Sequence, residues 1–147
     1  MFEQRLFVGS VTKLRDLAED LLASQSNTLR KDSHVFDYVN LKVEKHHPYF
    51  FEIIEAIMQD YPGKLIAPRI ARYKPGYFVV PHVDVYKNHW AVSVRLSLGS
   101  SNLKVLGLNT HERAGIYTVI DTQIEHEVSV IPDGEERIVL LFWIDRG

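Results

Sequence analysis

Apolar and polar positions divide the chain into two textures. Between residues 11 and 25, Val11, Leu14, Leu17, Leu21 and Leu22 recur at helical spacing, and Ser10 stands where an N-cap belongs. A second helical pattern covers residues 48–61. There Phe50, Ile53, Ile54, Ile57 and Met58 share one face, Pro48 occupies the first turn, and a Pro-Gly pair closes the segment. Residues 33–45, SHVFDYVNLKVEK, predict a strand and a turn between the helices.

From residue 64 the period shortens. Seven β-type runs follow one another: LIAPRIARY, YFVVPHVDV, WAVSVRLSL, LKVLGL, GIYTVID, HEVSVI and RIVLLFWI. The turn sequences KPG, GSSN, NTHERAG and PDGEE punctuate them. Short strands at this spacing predict an antiparallel sandwich or barrel of jelly-roll type. The expected architecture is mostly β with some α, a single domain over residues 1–147. A helical support region over 1–63 packs on one sheet of a β core over 64–147. In WAVSVRLSL, Val92, Val94, Leu96 and Leu98 face the core, while Ser93, Arg95 and Ser97 face solvent or a cavity.

Composition narrows the partners. A chain of 147 residues, 46% hydrophobic and 24% charged, has the make-up of an ordinary globular domain and can bury a core without crosslinks. Its net charge is −2, with acids and bases interspersed, so it carries no basic footprint for nucleic acid or an anionic membrane. The absence of cysteine excludes a disulfide framework, thiolate zinc sites and a cysteine nucleophile, and fits a cytoplasmic protein. The opening MFEQRLFVGS lacks the basic-then-apolar plan of a signal peptide, and no apolar run is long enough to span a bilayer.

The candidate chemistry begins at His82 and Asp84. Side chains at i and i+2 of a strand point the same way, and burying both unpaired would be costly. His126 opens a later strand and can approach from across the sandwich. Two imidazoles and one carboxylate on one face of an octahedron leave three positions open, as in the facial triad of non-heme Fe(II) oxygenases. Arg137 opens RIVLLFWI, the most apolar run of the chain, and its planar fork there calls for a carboxylate. Tyr73 is placed to give the same carboxylate a hydroxyl donor. Tyr86, His89 and Trp90 follow the triad directly and are candidates for a substrate entrance. His34, His46, His47 and His111 read as solvated or local, and Glu125 and Glu127 are expected on the face opposite His126.

In this order the residues resemble the Fe(II)- and 2-oxoglutarate-dependent dioxygenases. The pattern reads His82-Val83-Asp84, then His126, 44 residues after His82, then Arg137, 11 residues further on. YKPGYFVVPHVD is similar to the prolyl-4-hydroxylase-like branch. GIYTVIDTQIEHEVSVIPDGEERIVLLFWID is similar to the aspartyl/asparaginyl-hydroxylase-like branch, to which SVRLSL adds Arg95. The resemblance implies a double-stranded β-helix (jelly-roll/cupin-like) core with the N-terminal helices on one sheet. It implies iron on His82, Asp84 and His126, and 2-oxoglutarate on Arg137, helped by Tyr73 or Arg95. It implies O2 as co-reactant, ascorbate as the reductant in vitro, and succinate and CO2 as products of hydroxylating an amino-acid, peptidyl or small-metabolite substrate. The alkylation-repair branch carries a second arginine where this chain has Trp143, which argues against nucleic-acid demethylation. Three other readings share the residues. A zinc-dependent hydrolase would use the same triad but needs a glutamate base and gives Arg137 no role. A non-catalytic jelly-roll module would only bind. A cupin-type dioxygenase usually carries His-X-His.

Overall fold

A computed structural model describes residues 2–147. The first part of the chain forms β1 (Phe2–Leu6), α1 (Val11–Gln25), β2 (Asn27–Lys31), β3 (His34–Asn40) and α2 (Pro48–Met58). The remainder forms β4 (Lys64–Tyr73), β5 (Phe78–His82), β6 (His89–Arg95), β7 (Leu103–Val105), β8 (Leu108–Asn109), β9 (Ile116–Asp121), β10 (His126–Val128) and β11 (Arg137–Asp145). The region expected to be a helical support therefore also supplies three strands. β1 and β2 carry too few apolar residues for their pattern to stand out, and each pairs along one edge only, β1 with β9 and β2 with β3.

The strands run β1-β9-β6-β11-β4-β3-β5-β10-β7-β8, with β2 beside β3, in a strongly curled antiparallel sheet. β3 is the seam: Asp37–Asn40 pair with β4, whereas His34 and Val35 pair with β5. The ribbon thus closes into a wide sheet, β9-β6-β11-β4, facing a narrower one, β5-β10-β7-β8. This is the double-stranded β-helix, and the helices cover the outer face of the wide sheet.

Alternation along β6 and β11 divides the two faces. Val92, Val94, Ile138, Leu140, Phe142 and Ile144 turn outward and pack with Leu14, Ala18 and Leu22 of α1 and Phe50, Ile53, Ile54 and Ile57 of α2 in one core. Ser10 caps α1, its hydroxyl accepting from the Lys13 amide at 3.1 Å. The His47 ring caps α2 by accepting from the Tyr49 amide at 3.1 Å, with Pro48 in the first turn. The second helix ends at Met58, three residues earlier than its apolar pattern predicts. Tyr61 continues the apolar face from a turn and packs edge-on against Trp90.

Two local features aim side chains into the space between the sheets. Lys74-Pro75-Gly76-Tyr77 is a tight turn closed by the Tyr77 amide on the Lys74 carbonyl at 2.9 Å, with Gly76 at φ 86°. Proline second and a positive-φ glycine third define a type II turn, which carries the chain from β4 on the wide sheet to β5 on the narrow one. In β4, Leu141 opposes Arg69 but Trp143 opposes Ile66, so β4 holds one extra residue there, at Ala67 (φ 47°) and Pro68. That bulge reverses the alternation. Leu65 packs toward the helices, yet beyond the bulge it is Ile70 that does so, while Arg69 and Tyr73 line the interior.

Candidate metal centre and anion socket

His82 is the last residue of β5 and His126 the first of β10, and the two are direct partners across that strand pair. They are neighbours on the narrow sheet rather than residues meeting across the sandwich. Their ring centroids are 4.4 Å apart. Each Nδ1 lies 2.8 Å from a main-chain carbonyl two residues earlier, Val80 for His82 and Ile124 for His126. An Nδ1–H bonded to a carbonyl turns Nε2 toward the cavity, where it donates to Asp84 when it carries a proton and offers a lone pair to a metal when it does not. Both Nε2 atoms turn to the same oxygen, Asp84 Oδ1, at 3.2 and 3.3 Å.

Asp84 lies two residues beyond the end of β5, so strand alternation alone does not place it. Its amide donates to the Thr122 carbonyl at 3.0 Å, its carbonyl accepts from Gln123 Nε2 at 3.1 Å, and its Oδ2 accepts from Trp143 Nε1 at 3.0 Å. Burial would raise the Asp84 pKa, but hydrogen bonds from His126, His82 and Trp143 outweigh it and hold the carboxyl well below the usual carboxylate range. The hydrogen bond to Asp84 is in turn the largest influence raising the His82 pKa.

The three candidate ligand atoms lie within 4.8 Å of one another. Adjacent ligands roughly 2.1 Å from one ion and about 90° apart would be roughly 3.0 Å from each other, close to the imidazole–carboxylate separations seen. Two Nε2 atoms that become lone-pair donors on losing their protons, with an ionised carboxylate, fit a divalent first-row metal, with room left for other ligands.

The triad forms one wall of a cavity of about 470 Å³, a volume suited to small ligands. Phe36, Leu103, Ile120, Val128, Val139 and Leu141 give it apolar walls. Arg137 and Tyr73, opposite one another on β11 and β4, lie at its closed end. Arg137 is 2% exposed. Its Nη2 donates to Ser93 Oγ at 3.3 Å, its Nη1 meets Glu112 Oε1, and its Nε is buried with no partner. Burial first, then the like charge of Arg95, lowers its pKa, so it is a cation that gains from an arriving anion. Burial raises the Tyr73 pKa, which keeps its hydroxyl a proton donor.

Arg95 shares the inward face of β6 with Ser93 but does not border the cavity. Its guanidinium is spent on Glu112 Oε1 at 3.2 Å and on the carbonyls of Ser97, Leu98 and Ser100 at 3.0–3.1 Å. It stands behind Arg137 and braces the loop, so the structure does not bring it to a cosubstrate position. Glu112, from the loop before β9, has no exposed side-chain surface and lies between the two arginines. Nothing in NTHERAG marks it in the sequence. Two buried guanidiniums with one carboxylate leave one positive charge in surplus at the closed end of the cavity.

The entrance also differs from expectation. Tyr86 stacks on His89 with centroids 5.2 Å apart, and Trp90 packs between Tyr61 and Arg146, whose Cζ lies 3.9 Å from its ring centroid. None of the three borders the cavity. Leu29, Ser33 and His34 of the β2–β3 hairpin do so, with Arg69 and Trp143. His34, expected to be solvated, has its pKa lowered by partial burial and by the charges of Lys31, His82 and Arg69. Glu127, expected on the opposite face, also borders the cavity. Trp143 was within reach of sequence reasoning, because it continues the Arg137, Val139, Leu141 alternation. Arg69 was not, because the bulge before it breaks the period.

No family model and no curated protein matches the chain by sequence. The fold is shared with 2-oxoglutarate–Fe(II) oxygenases of known structure. A prolyl-4-hydroxylase from Pseudomonas putida superposes with a TM-score of 0.74 at 20% identity, over 99% of this chain and 92% of that one. A prolyl hydroxylase from Trichoplax adhaerens, in complex with a hypoxia-inducible-factor degradation-domain peptide, gives 0.74 at 14% identity, over 98% and 83%. The epimerase SnoN of nogalamycin biosynthesis, in complex with Fe3+, α-ketoglutarate and nogalamycin RO, gives 0.74 at 14% identity, over 98% and 78%.

Proposed function

We propose that this chain is an Fe(II)- and 2-oxoglutarate-dependent oxygenase that hydroxylates a C–H bond of an amino-acid, peptidyl or small-metabolite substrate in the cytoplasm. The observation that carries the reading is the pairing, in one cavity, of the His82-Asp84-His126 triad with a buried guanidinium in surplus positive charge. The structural neighbours support it, because proteins of this fold accept peptides and small molecules. Among the described residues no helix is long and apolar enough to cross a membrane.

In this reading His82 and His126 hold iron through Nε2, their orientation set by the Val80 and Ile124 carbonyls, and Asp84 supplies the anionic ligand. The far carboxylate of 2-oxoglutarate seats on Arg137, where it neutralises the surplus charge and takes up the unpartnered Nε–H. Tyr73 donates its hydroxyl to the same carboxylate. The apolar walls exclude water and strengthen that pairing. Bound iron supplies the oxidising chemistry: one atom of O2 enters the substrate C–H bond and the other leaves in succinate, with release of CO2. A zinc hydrolase reading gains Glu127 as a carboxylate at the cavity wall, but leaves the Arg137 socket without a role.

The test is turnover of 2-oxoglutarate by the purified protein with Fe(II) and ascorbate. Slow succinate release is expected even without a prime substrate. Arg137→Met removes a charge-assisted contact worth about 1.5–3 kcal/mol, so the KM for 2-oxoglutarate rises at least tenfold. Asp84→Ala abolishes metal binding by calorimetry while the fold persists. Metal and N-oxalylglycine binding with no succinate under any condition would reduce the chain to a binding module. An unaltered metal affinity in Asp84→Ala would dismiss the triad.

A further inference from the structure

Arg69 is a second cation in the same cavity, and the proposed cosubstrate chemistry does not use it. It lies four residues before Tyr73 on β4, roughly 13 Å along the strand from the Tyr73–Arg137 pair. It is thus on the triad side of the cavity rather than the closed end. Its guanidinium carbon is 4.8 Å from the centroid of the Trp143 ring and 5.9 Å from that of Phe36. Trp143 is the residue whose indole N–H holds Asp84, which places Arg69 beside the candidate metal ligands. Its Nε is buried with no hydrogen-bond partner. Among the described residues no carboxylate pairs with it, in contrast to Arg72 three positions on, which Asp37 neutralises at 2.9 Å.

A partly buried cation with no carboxylate in ion-pair contact is unfavourable: burial lowers its pKa, and the more distant charge of Asp84, itself committed to His82, His126 and Trp143, offsets this only in part. Aromatic faces compensate in part, but they leave the planar N–H edge of the fork unmet. The bulge at Ala67 and Pro68 is what turns this residue inward rather than toward the helices, so the backbone is shaped to present it.

Resting on the reading of the cavity as an oxygenase site, we propose that Arg69 receives a carboxylate of the prime substrate, whose apolar body lies against Phe36 and Trp143. The cavity then holds two anions: the cosubstrate's on Arg137 at the closed end, and the substrate's on Arg69 near the mouth. The substrate class is a free amino acid, a peptide with its terminal carboxylate, or a similar small carboxylic acid. An internal residue of a polypeptide backbone carries no such group on its main chain.

The experiment uses the full chain loaded with Mn(II) and N-oxalylglycine, so that the Arg137 socket is filled. The proteinogenic amino acids are titrated by calorimetry in three forms: free, N-acetylated, and N-acetylated with a C-terminal carboxamide. At least one carboxylate form is expected to bind, and at least tenfold more tightly than its carboxamide. The free and N-acetylated arms separate a free amino acid from a chain end. Arg69→Met is expected to lose at least tenfold for that carboxylate and nothing for the carboxamide, and Arg69→Lys to fall between. The urea midpoint of Arg69→Met is expected to stay level or rise, since an unpaired cation leaves the interior, whereas a merely structural arginine would lower it. Equal binding of carboxylate and carboxamide overturns the proposal, as does unchanged affinity in Arg69→Met, or a panel in which no carboxylate binds. Failure of the wild-type chain to take up Mn(II) and N-oxalylglycine would instead overturn the oxygenase reading itself.

Discussion

Glu112→Gln is the sharpest probe of the closed end of the cavity, because it removes one charge and almost no volume. Arg95 keeps three main-chain carbonyls as partners, so it is solvated by dipoles without Glu112. Among the described residues Arg137 keeps only the Ser93 hydroxyl and the Tyr73 ring. Breaking one side of a buried ion pair costs about 3–5 kcal/mol. The amide oxygen of glutamine still accepts one hydrogen bond, worth about 1 kcal/mol, which leaves a loss of about 2–4 kcal/mol. For a chain of this length that corresponds to a melting temperature lower by about 5–15 °C, and to a lower urea midpoint with an unchanged slope. N-oxalylglycine should raise the midpoint of the variant more than that of the wild type, because its carboxylate becomes the only counter-charge for Arg137. The assay is urea and thermal unfolding with and without that ligand. A loss below about 1 kcal/mol would refute the reasoning, since the two guanidiniums would then be reaching water or another anion.

Other outcomes follow from the same contacts. Burial would raise the Asp37 pKa, but hydrogen bonds from Thr28 and Arg72 and the charges of Lys74 and Arg72 outweigh it and hold it below the ordinary 3.8. A depressed carboxylate stabilises the fold above its unfolded pKa and loses that contribution as pH falls through the folded one. Asp37→Asn should therefore cost about 1–3 kcal/mol at pH 7, with the gap from wild type closing below pH 3.8; a gap independent of pH would show that the charge does not matter. Gly76→Ala meets no atom within 4 Å, so its cost is the backbone alone, about 1 kcal/mol at φ 86°, and Gly76→Asn should cost less; equal penalties in urea melts would contradict a left-handed turn residue. Trp143→Phe removes the donor to Asp84 Oδ2 and should weaken Mn(II) binding by about tenfold, read by calorimetry; an unchanged affinity would make the indole a wall only.

Local chemistry set a great deal by itself. The period of Leu14 and Leu22, with Ser10 before them, specifies a capped amphipathic helix whatever lies nearby. KPG specifies a type II turn because proline fixes one φ and glycine adopts the positive φ that follows without strain. The set of His82, Asp84, His126 and Arg137 was legible because its order and spacing resemble those of the 2-oxoglutarate-dependent oxygenases. Trp143 was readable by strand alternation.

The folded chain decided what depends on partners far away in sequence. Arg95 and Arg137 are both arginines on inward-facing strand positions, and nothing local tells them apart. Glu112 and three carbonyls claim the first, and the cavity exposes the second. Asp84 owes its position to Thr122 and Trp143, 38 and 59 residues on. Tyr86, His89 and Trp90 adjoin the triad in sequence, yet they pack away from it once β6 enters the wide sheet. Arg69 faces inward only because one extra residue at Ala67 resets the side-chain period, and period-2 reasoning fails at a bulge. Strand and helix identity follow from short-range sterics and burial pattern. Which buried charge finds a counter-charge, and which is left for a ligand, follows from long-range packing.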